Sequence, residues 1–389
     1  MRKVAVVAAG VTKFGVRQAT FRDLAAEAGK AVFDNLGGAL KPKDIDGIIV
    51  STVMPERNAF QSHISSLVAE QIGIKPTSLS VRVEHMCASG NVAMRMAYAA
   101  IAMGMAEIVM VLGVEKLNTP VQAETFLNMM CGIDREWEGA FGLTAPPVFA
   151  LAAQAHMRKY GTTEEQLAAV SMKNRRHACN NPNAQWQTPI DLAKYAAAKQ
   201  ISSPFKLFDC SSVADGAAAV IVTSEERARA ITNKPMWILG SGQAITNFDV
   251  ANAPNGDYSH WPALKMAAQT AYRTAGITAK DVDFAEVHDC FTIAEVIATE
   301  ELGFVEKGNG GEFVASGRSD YGGDIVINPR GGLIGCGHPL GATGVAQAVE
   351  CFQQLRGEAG LRQVKNARIG LAHTNSGMAE HTIVVYGRD

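Results

Sequence analysis

Cys87 sits where a chain can make a thiol reactive. The run Glu84-His85-Met86-Cys87-Ala88-Ser89-Gly90-Asn91 follows a strand-like segment, Ser78 to Val83. It opens an Ala- and Met-rich, Pro-free stretch to Met105 that predicts a buried helix. The thiol is therefore expected at a strand-to-helix elbow, beside the unpaired N–H groups and positive end of the helix. That setting lowers a thiol pKa, and the thiolate is the form that attacks carbon. Many cysteines are merely small buried hydrophobes, so the local pattern leaves both roles open. His338 occupies a comparable position further on, in Gly337-His338-Pro339-Leu340-Gly341-Ala342-Thr343-Gly344, a glycine-rich turn that opens a second helix. A near-neutral imidazole there can take and return a proton. A third group, Glu286-Val287-His288-Asp289-Cys290-Phe291, ends a hydrophobic strand, and the two-residue spacing predicts His288 and Cys290 on one face.

The elements that position these residues occur twice. Lys41-Pro42-Lys43-Asp44-Ile45-Asp46-Gly47 resembles Thr278-Ala279-Lys280-Asp281-Val282-Asp283-Phe284; each follows an Ala-rich helical stretch and leads into a strand. The helix from Gly90 and the strand from Ile108 likewise match the helix from Gly344 and the strand near Ile369. Strands alternating with helices predict βαβ units and mostly parallel sheets. Two copies predict two similar lobes, residues 1–234 carrying Cys87 and residues 235–389 carrying His288, Cys290 and His338. Residues from about 116 to 208 have no second copy and read as an insertion. A capping box, Thr162-x-x-Glu165, is expected to start one of its helices.

At 389 residues the chain exceeds the roughly 250–300 at which single cores stop growing. Its net charge of −2 gives no general pull toward nucleic acid or anionic membrane. The longest apolar stretch, Val92 to Val114, is broken by Arg95, Gly104 and Glu107, which predicts a core helix then a core strand rather than a membrane span. Seven scattered cysteines and no secretory signal predict a reducing, cytoplasmic setting without a disulfide frame. The glycine-rich turn lacks the Lys-Ser/Thr ending of a phosphate loop.

Met86-Cys87-Ala88-Ser89-Gly90 and Gly337 to Gly344 resemble the nucleophile and C-terminal signatures of thiolases, and the resemblance spans almost the whole chain. His288-Asp289-Cys290-Phe291 and Lys206-Leu207-Phe208-Asp209-Cys210 look like the sterol-carrier-protein type and its archaeal and bacterial relatives. The resemblance implies a duplicated βαβαβαββ lobe in a five-layered α-β-α-β-α arrangement with an inserted loop domain. It implies an acyltransferase running reversible Claisen chemistry on coenzyme A thioesters, with CoA as substrate and neither a permanent cofactor nor a metal. In that chemistry Cys87 is acylated, His338 is its base, Cys290 is the second acid/base and His288 donates to an enolate oxygen. Cys290 takes that role because Asn375-Ser376-Gly377 replaces the Cys-x-Gly of better-known thiolases; Cys336 is the lesser rival. Backbone N–H groups of Cys87 and Gly377 form the oxyanion hole, with His373 and Asn375 supporting.

The insertion brings Met129, Met130, Trp137 and Phe141 together as a candidate apolar pocket for a bulky or aromatic acyl group, such as that of benzoylsuccinyl-CoA. Its Lys173 to His177 run is a dense basic cluster, read as a solvated helix face ahead of a site for CoA phosphates. The resemblance also implies a homodimer or tetramer core, with a small zinc-ribbon/OB-fold subunit to help bind CoA. Other readings are an acetoacetyl-CoA thiolase, a decarboxylating ketoacyl synthase, or a non-catalytic CoA-binding assembly subunit.

Overall fold

The computed structural model describes residues 2–389. The first lobe runs β1 (Val4–Val11), α1 (Phe21–Asn35), β2 (Gly47–Ser51), α2 (Pro55–Asn58), α3 (Ile64–Ile72), β3 (Leu79–Val83), α4 (Ser89–Ala102) and β4 (Ile108–Glu115). The insertion follows with α5 (Gln122–Met129), α6 (Ala145–Tyr160), α7 (Glu164–Ala178), α8 (Leu192–Ala196) and the short pair β5 (Gln200–Ser202) and β6 (Phe205–Lys206). Strand β7 (Gly216–Ser224) and α9 (Glu225–Ile231) complete the first lobe. The second runs β8 (Met236–Ile245), α10 (Pro262–Ala275), β9 (Phe284–Glu286), α11 (Thr292–Glu301), α12 (Gly310–Ala315) and β10 (Val326–Ile327). It ends with α13 (Gly332–Cys336), α14 (Leu340–Arg356), β11 (Ile369–Ser376) and β12 (Glu380–Gly387).

The strands pair in the order β10-β9-β11-β12-β8-β1-β7-β4-β2-β3. Read outward from the β8/β1 seam, the two halves have the same order and sense. In one, β7 is antiparallel to both β1 and β4, and β2 is parallel to β4 and β3. In the other, β12 is antiparallel to β8 and β11, and β9 is parallel to β11 and β10. The seam is short: Ala5 pairs with Trp237 and Val6 with Met236. The duplication seen in the sequence is thus a duplication of structure, and β10, two residues long, is the counterpart of β3 that its pattern did not reveal.

Period-two alternation sorts the side chains into layers. Ile48, Val50, Met110 and Leu112 face α1 and α3 on one side of the first half. Ile49, Val109 and Val111 face inward, where they share a core with Ala97 of α4 and with Val345 and Val349 of α14. Ala285, Leu371 and Ile383 turn toward α10 and α11 on the far side. Helices α4 and α14 form the middle of five layers, α-β-α-β-α. They cross where a Cβ on Gly90 would lie 2.7 Å from the Val345 nitrogen and one on Gly344 would lie 2.4 Å from the Asn91 nitrogen. Only glycines permit that approach, and it brings the starts of α4 and α14 face to face.

Several expectations need correction. The large sheet is mixed and not mostly parallel, because β7 and β12 each run antiparallel to both of their neighbours. Helix α7 is capped by Thr163 with Gln166 reciprocating, one residue beyond the expected box; the Thr162 hydroxyl is instead paired with His156 Nδ1 at 2.7 Å. Strand β9 stops at Glu286, so His288 and Cys290 lie in a loop. The Asp289 N–H donates to the Val287 carbonyl at 3.1 Å, a tight turn about His288 that removes the same-face argument. The Lys173 to His177 run is neither a solvated face nor a free basic patch. Lys173 is buried against Glu295 at 2.7 Å, Arg176 pairs with Asp320, and His177 lies 2.7 Å from the same carboxylate. Asn174 donates to Asp289 and Glu295 at 2.7 Å each, and Arg175 donates to the Thr188 carbonyl. No helix among the described residues is long and apolar enough to cross a membrane.

Candidate active site

Cys87 lies in a one-turn 3-10 helix, Met86–Ala88, that runs into α4. Met86 adopts φ +44°, a left-handed conformation costing a side-chain-bearing residue on the order of 1–3 kcal/mol. The surroundings hold it there. The His85 N–H donates to Ser89 Oγ at 2.7 Å, and Ser89 Oγ donates to the Met86 carbonyl at 2.6 Å. From the second lobe, Ser376 donates to the His85 carbonyl and accepts the Ala88 N–H at 3.3 Å. The nucleophile turn is therefore stapled to the Asn375-Ser376-Gly377 turn. As the second residue of its one-turn helix, Cys87 has an N–H with no acceptor inside that turn.

His338 follows α13, where its N–H donates to the Ser212 carbonyl at 2.8 Å. Its Nδ1 lies 2.7 Å from Thr343 Oγ1, in the first turn of α14, while Nε2 is buried without a partner. An Nδ1–H donated to Thr343 leaves the Nε2 lone pair free. His288 is fully buried and neither of its ring nitrogens has a partner. Its ring stands edge-on to His338 with centroids 4.9 Å apart. Cys87 Sγ and one nitrogen from each of these histidines all lie within 4.8 Å of one another.

The electrostatics differ from the helix-terminus expectation. Burial pushes the Cys87 thiol up to about 12, and the nearby carboxylates of Glu115, Glu380 and Glu84 push the same way. Burial, helped by the Arg330 charge, drops His338 to about 3. His288 lies well below its ordinary value through burial and the neighbouring imidazoles of His338, His373 and His381. The resting site is thus a neutral thiol beside neutral imidazoles. Such a pair holds no preformed thiolate, and the unpartnered Nε2 of His338 is placed to accept the thiol proton.

Cys290 is buried, and burial followed by the nearness of Cys87 and Asp289 raises its thiol well above the usual range. Cys336 is also buried, but its Sγ donates to the Arg330 carbonyl at 2.9 Å and accepts from Asn181. Asp289, between His288 and Cys290, accepts the Leu333 and Ile334 N–H groups at 2.6 and 3.3 Å and so locks this loop to the start of α13. The His288 N–H points to His373 Nδ1 at 3.4 Å, and His373 Nε2 lies 3.0 Å from His381 Nδ1. Asn375 donates to the Gly377 carbonyl while its Oδ1 is buried and unpartnered.

Of the apolar residues singled out in the insertion, Met129 packs with Met86 and Cys87 on Val53, Met54, Leu117 and Leu340. Met130 is only half-buried and lies outside that group. Trp137 and Phe141 are 76 % and 82 % exposed and line no pocket at Cys87, which corrects the four-residue pocket to Met129 alone.

Sequence reading missed several positioning residues. Glu115, at the end of β4, accepts the Val53 N–H at 2.9 Å, the Gly341 N–H at 3.0 Å and the Thr52 hydroxyl at 3.0 Å, joining the two lobes beneath the site. His85 lies 3.0 Å from Glu380. Thr343 and Asp289 stand inside the motifs already noted, so the motifs themselves held that signal. Glu115 and Glu380 carry none, because their partners are remote in sequence.

The chain matches the family descriptions "Thiolase, N-terminal domain" over residues 4–203 and "Thiolase C-terminal domain-like" over residues 242–388. It is 42% identical to the acetyl-CoA acetyltransferase of Methanothermobacter thermautotrophicus, over 97% of each chain. It is 35% identical to the sterol carrier protein 2 of Bos taurus, over 98% of this chain and 71% of that one. It is 32% identical to the benzoylsuccinyl-CoA thiolase subunit BbsB of Thauera aromatica, over 97% and 95%. Among solved structures, the Ltp2-ChsH2(DUF35) aldolase superposes with a TM-score of 0.86 at 26% identity, covering 100% of this chain and 98% of that one. The chain belongs to the thiolase family. It is an acyltransferase of the thiolase type.

Proposed function

We propose that the chain cleaves a 3-oxoacyl-CoA, or forms one in reverse, through an acyl-Cys87 intermediate. The observation that carries this is the convergence of Cys87, His288 and His338 within 4.8 Å at the facing starts of α4 and α14. In the cleaving direction Cys87 Sγ attacks the 3-oxo carbon while its proton passes to His338 Nε2. The Cα–Cβ bond then breaks, leaving an acyl thioester on Cys87 and the enolate of a shorter acyl-CoA. His288 donates to the enolate oxygen, and Cys290 gives the carbanion its proton, then takes the proton of the incoming CoA thiol. The N–H groups of Cys87 and Gly377 hold the oxyanion as CoA releases the acyl group. His373 and Asn375 support that shell.

The substrate we favour is a bulky or aromatic 3-oxoacyl-CoA; its support is the likeness to a benzoylsuccinyl-CoA thiolase subunit, with Met129 of the insertion in the apolar cluster beside Cys87. A small zinc-ribbon/OB-fold partner that helps grip CoA is favoured because the Lys173 to His177 run is already paired within the protein. The structural likeness to an aldolase whose name includes a DUF35 component supports the same reading. A homodimeric or tetrameric core and a cytoplasmic, reducing location complete the proposal, the latter in keeping with seven unpaired cysteines.

The test is to incubate the chain, alone and with such a partner, with acetoacetyl-CoA or an aryl-bearing 3-oxoacyl-CoA plus CoA. C–C cleavage is followed alongside mass spectrometry of Cys87. Cleavage with acyl-Cys87, both lost in Cys87→Ala, is expected. Cleavage that survives Cys87→Ala would instead mark an aldolase-type reaction. Full activity of the isolated chain, highest on acetoacetyl-CoA, would remove the partner and the bulky substrate together.

A further inference from the structure

Three donor atoms of soft-metal type meet at the start of α4 with little else to bond. His288 offers two buried ring nitrogens and His338 one, none with a partner. A buried polar atom left in that state keeps its desolvation penalty, which a ligand at the same spot would relieve. Cys87 Sγ closes the triangle, with all three donors within 4.8 Å of one another. We propose that Cys87, His288 and His338 bind a zinc-class divalent cation in the resting enzyme, and that this cation blocks acylation of Cys87.

The geometry is close to what such an ion requires. Bond lengths of about 2.3 Å to sulfur and about 2.0–2.1 Å to nitrogen imply donor separations of roughly 3.3–3.7 Å in a tetrahedron. The triad must therefore contract by at most about 1.5 Å, within the reach of side-chain torsions. The support of His338 suits a ligand, since its second nitrogen is held by Thr343 at 2.7 Å and the ring orientation is set. The local field suits a cation. Glu84, Glu115 and Glu380 all act on Cys87, and the negative potential that opposes a thiolate there favours a dication. Two cationic groups oppose this field: Arg330, which acts on His338, is paired with buried Glu286 at 3.1 Å, and His85 is paired with Glu380 at 3.0 Å.

One sulfur and two imidazole nitrogens select Zn2+, Cd2+ or Co2+ over Mg2+ or Ca2+, which prefer oxygen ligands. Three protein ligands leave a fourth position for water, and Cys87 is partly exposed to solvent. On binding, the S–H bond breaks, the metal–sulfur bond forms and one proton leaves to solvent, with no change of oxidation state. Once Cys87 carries an acyl group its sulfur can no longer bind as a thiolate, so cation and acyl group exclude one another.

The site stands on the positions of three side chains; only the competition with acylation rests on the proposed reaction. The experiment titrates the full chain with Co2+, reading the near-ultraviolet sulfur-to-cobalt band, and then with Zn2+ by calorimetry. One cation per chain is expected. The band should vanish in Cys87→Ser, affinity should fall about 10–100-fold in His288→Gln, and both should be unchanged in Cys131→Ser, which removes an exposed thiol. Zn2+ should also protect Cys87 from iodoacetamide, with EDTA restoring labelling. No band, or one that survives Cys87→Ser, would overturn the site. Absence of thiolysis in metal-free protein would count against the proposed function and leave the band as it was.

Discussion

At the scale of single residues, burial keeps the side chains of Cys87, His288 and His338 uncharged. With the Cys87 thiol near 12 and His338 near 3, the pair stays neutral across the whole physiological range while no cation is bound. Alkylation of Cys87 by iodoacetamide should therefore keep rising with pH beyond 9. A plateau reached by pH 7 would mean a preformed thiolate. His338→Ala should slow that alkylation at neutral pH by removing the base. The two candidate second cysteines differ in engagement: Cys336 donates to the Arg330 carbonyl, whereas the Cys290 thiol, raised chiefly by burial and further by Cys87, has no such partner among the described residues. Cys290→Ser should lower turnover by about 10²–10⁴-fold, the range for a lost acid/base, and Cys336→Ser far less. Steady-state thiolysis of both variants checks this, and the reverse ranking would transfer the role to Cys336.

At the scale of elements, two contacts position the chemistry. The α4/α14 crossing allows no side chain at Gly344, where a Cβ would meet the Asn91 backbone nitrogen at 2.4 Å. Gly344→Ala must push the helices apart, at a typical overpacking cost of about 1–3 kcal/mol. It should lower the urea midpoint and separate Cys87 from His338, so that turnover falls more than stability alone explains. The second contact is α7 against α11, where Lys173 neutralises buried Glu295. Lys173→Met leaves that carboxylate unpaired, a loss of about 3–5 kcal/mol for a broken buried pair. Because Lys173 is buried, folded Lys173→Met protein should bind CoA as the parent does in a calorimetric titration. Weaker CoA binding would return the cluster to the role of a phosphate site.

Across the whole molecule, the second lobe collects buried imidazoles whose charge state ties stability to pH. His288, His338, His373 and His381 are all lowered, chiefly by burial, with His381 near 4 and His338 near 3. A lowered histidine contributes stability that is present above its unfolded value near 6.5 and lost as pH falls through its folded value. Stability should decline from about pH 6.5 downward, by up to about 1.4 kcal/mol per pH unit for each imidazole. Urea midpoints between pH 7 and 4 measure this slope, and His381→Asn should make it shallower. The His85–Glu380 pair acts the other way on its histidine, since the Glu380 hydrogen bond raises His85. That contribution is present at low pH and lost as pH rises through the raised value, so it offsets a small part of the acid loss.

The sequence alone determined what depends on local pattern. The duplicated βαβ order, the strand-to-helix elbow at Cys87, the glycine-rich turn that carries His338 into a helix and the break between α4 and β4 all follow from periodicity and glycine placement, and all stand in the structure. Contacts between distant residues were decided only by the tertiary structure. Glu115 meets Gly341 across 226 positions and Ser376 meets His85 across 291. No local window reports such partners. Burial is equally non-local, which is why a helix start that favours a thiolate in isolation holds a protonated thiol here. The same reason explains why the Lys173 to His177 run, basic in sequence, is internally neutralised, and why Trp137 and Phe141, apolar in sequence, face outward. Side-chain type constrains what a residue can do; the packing of the second lobe against the first sets which of those options it takes.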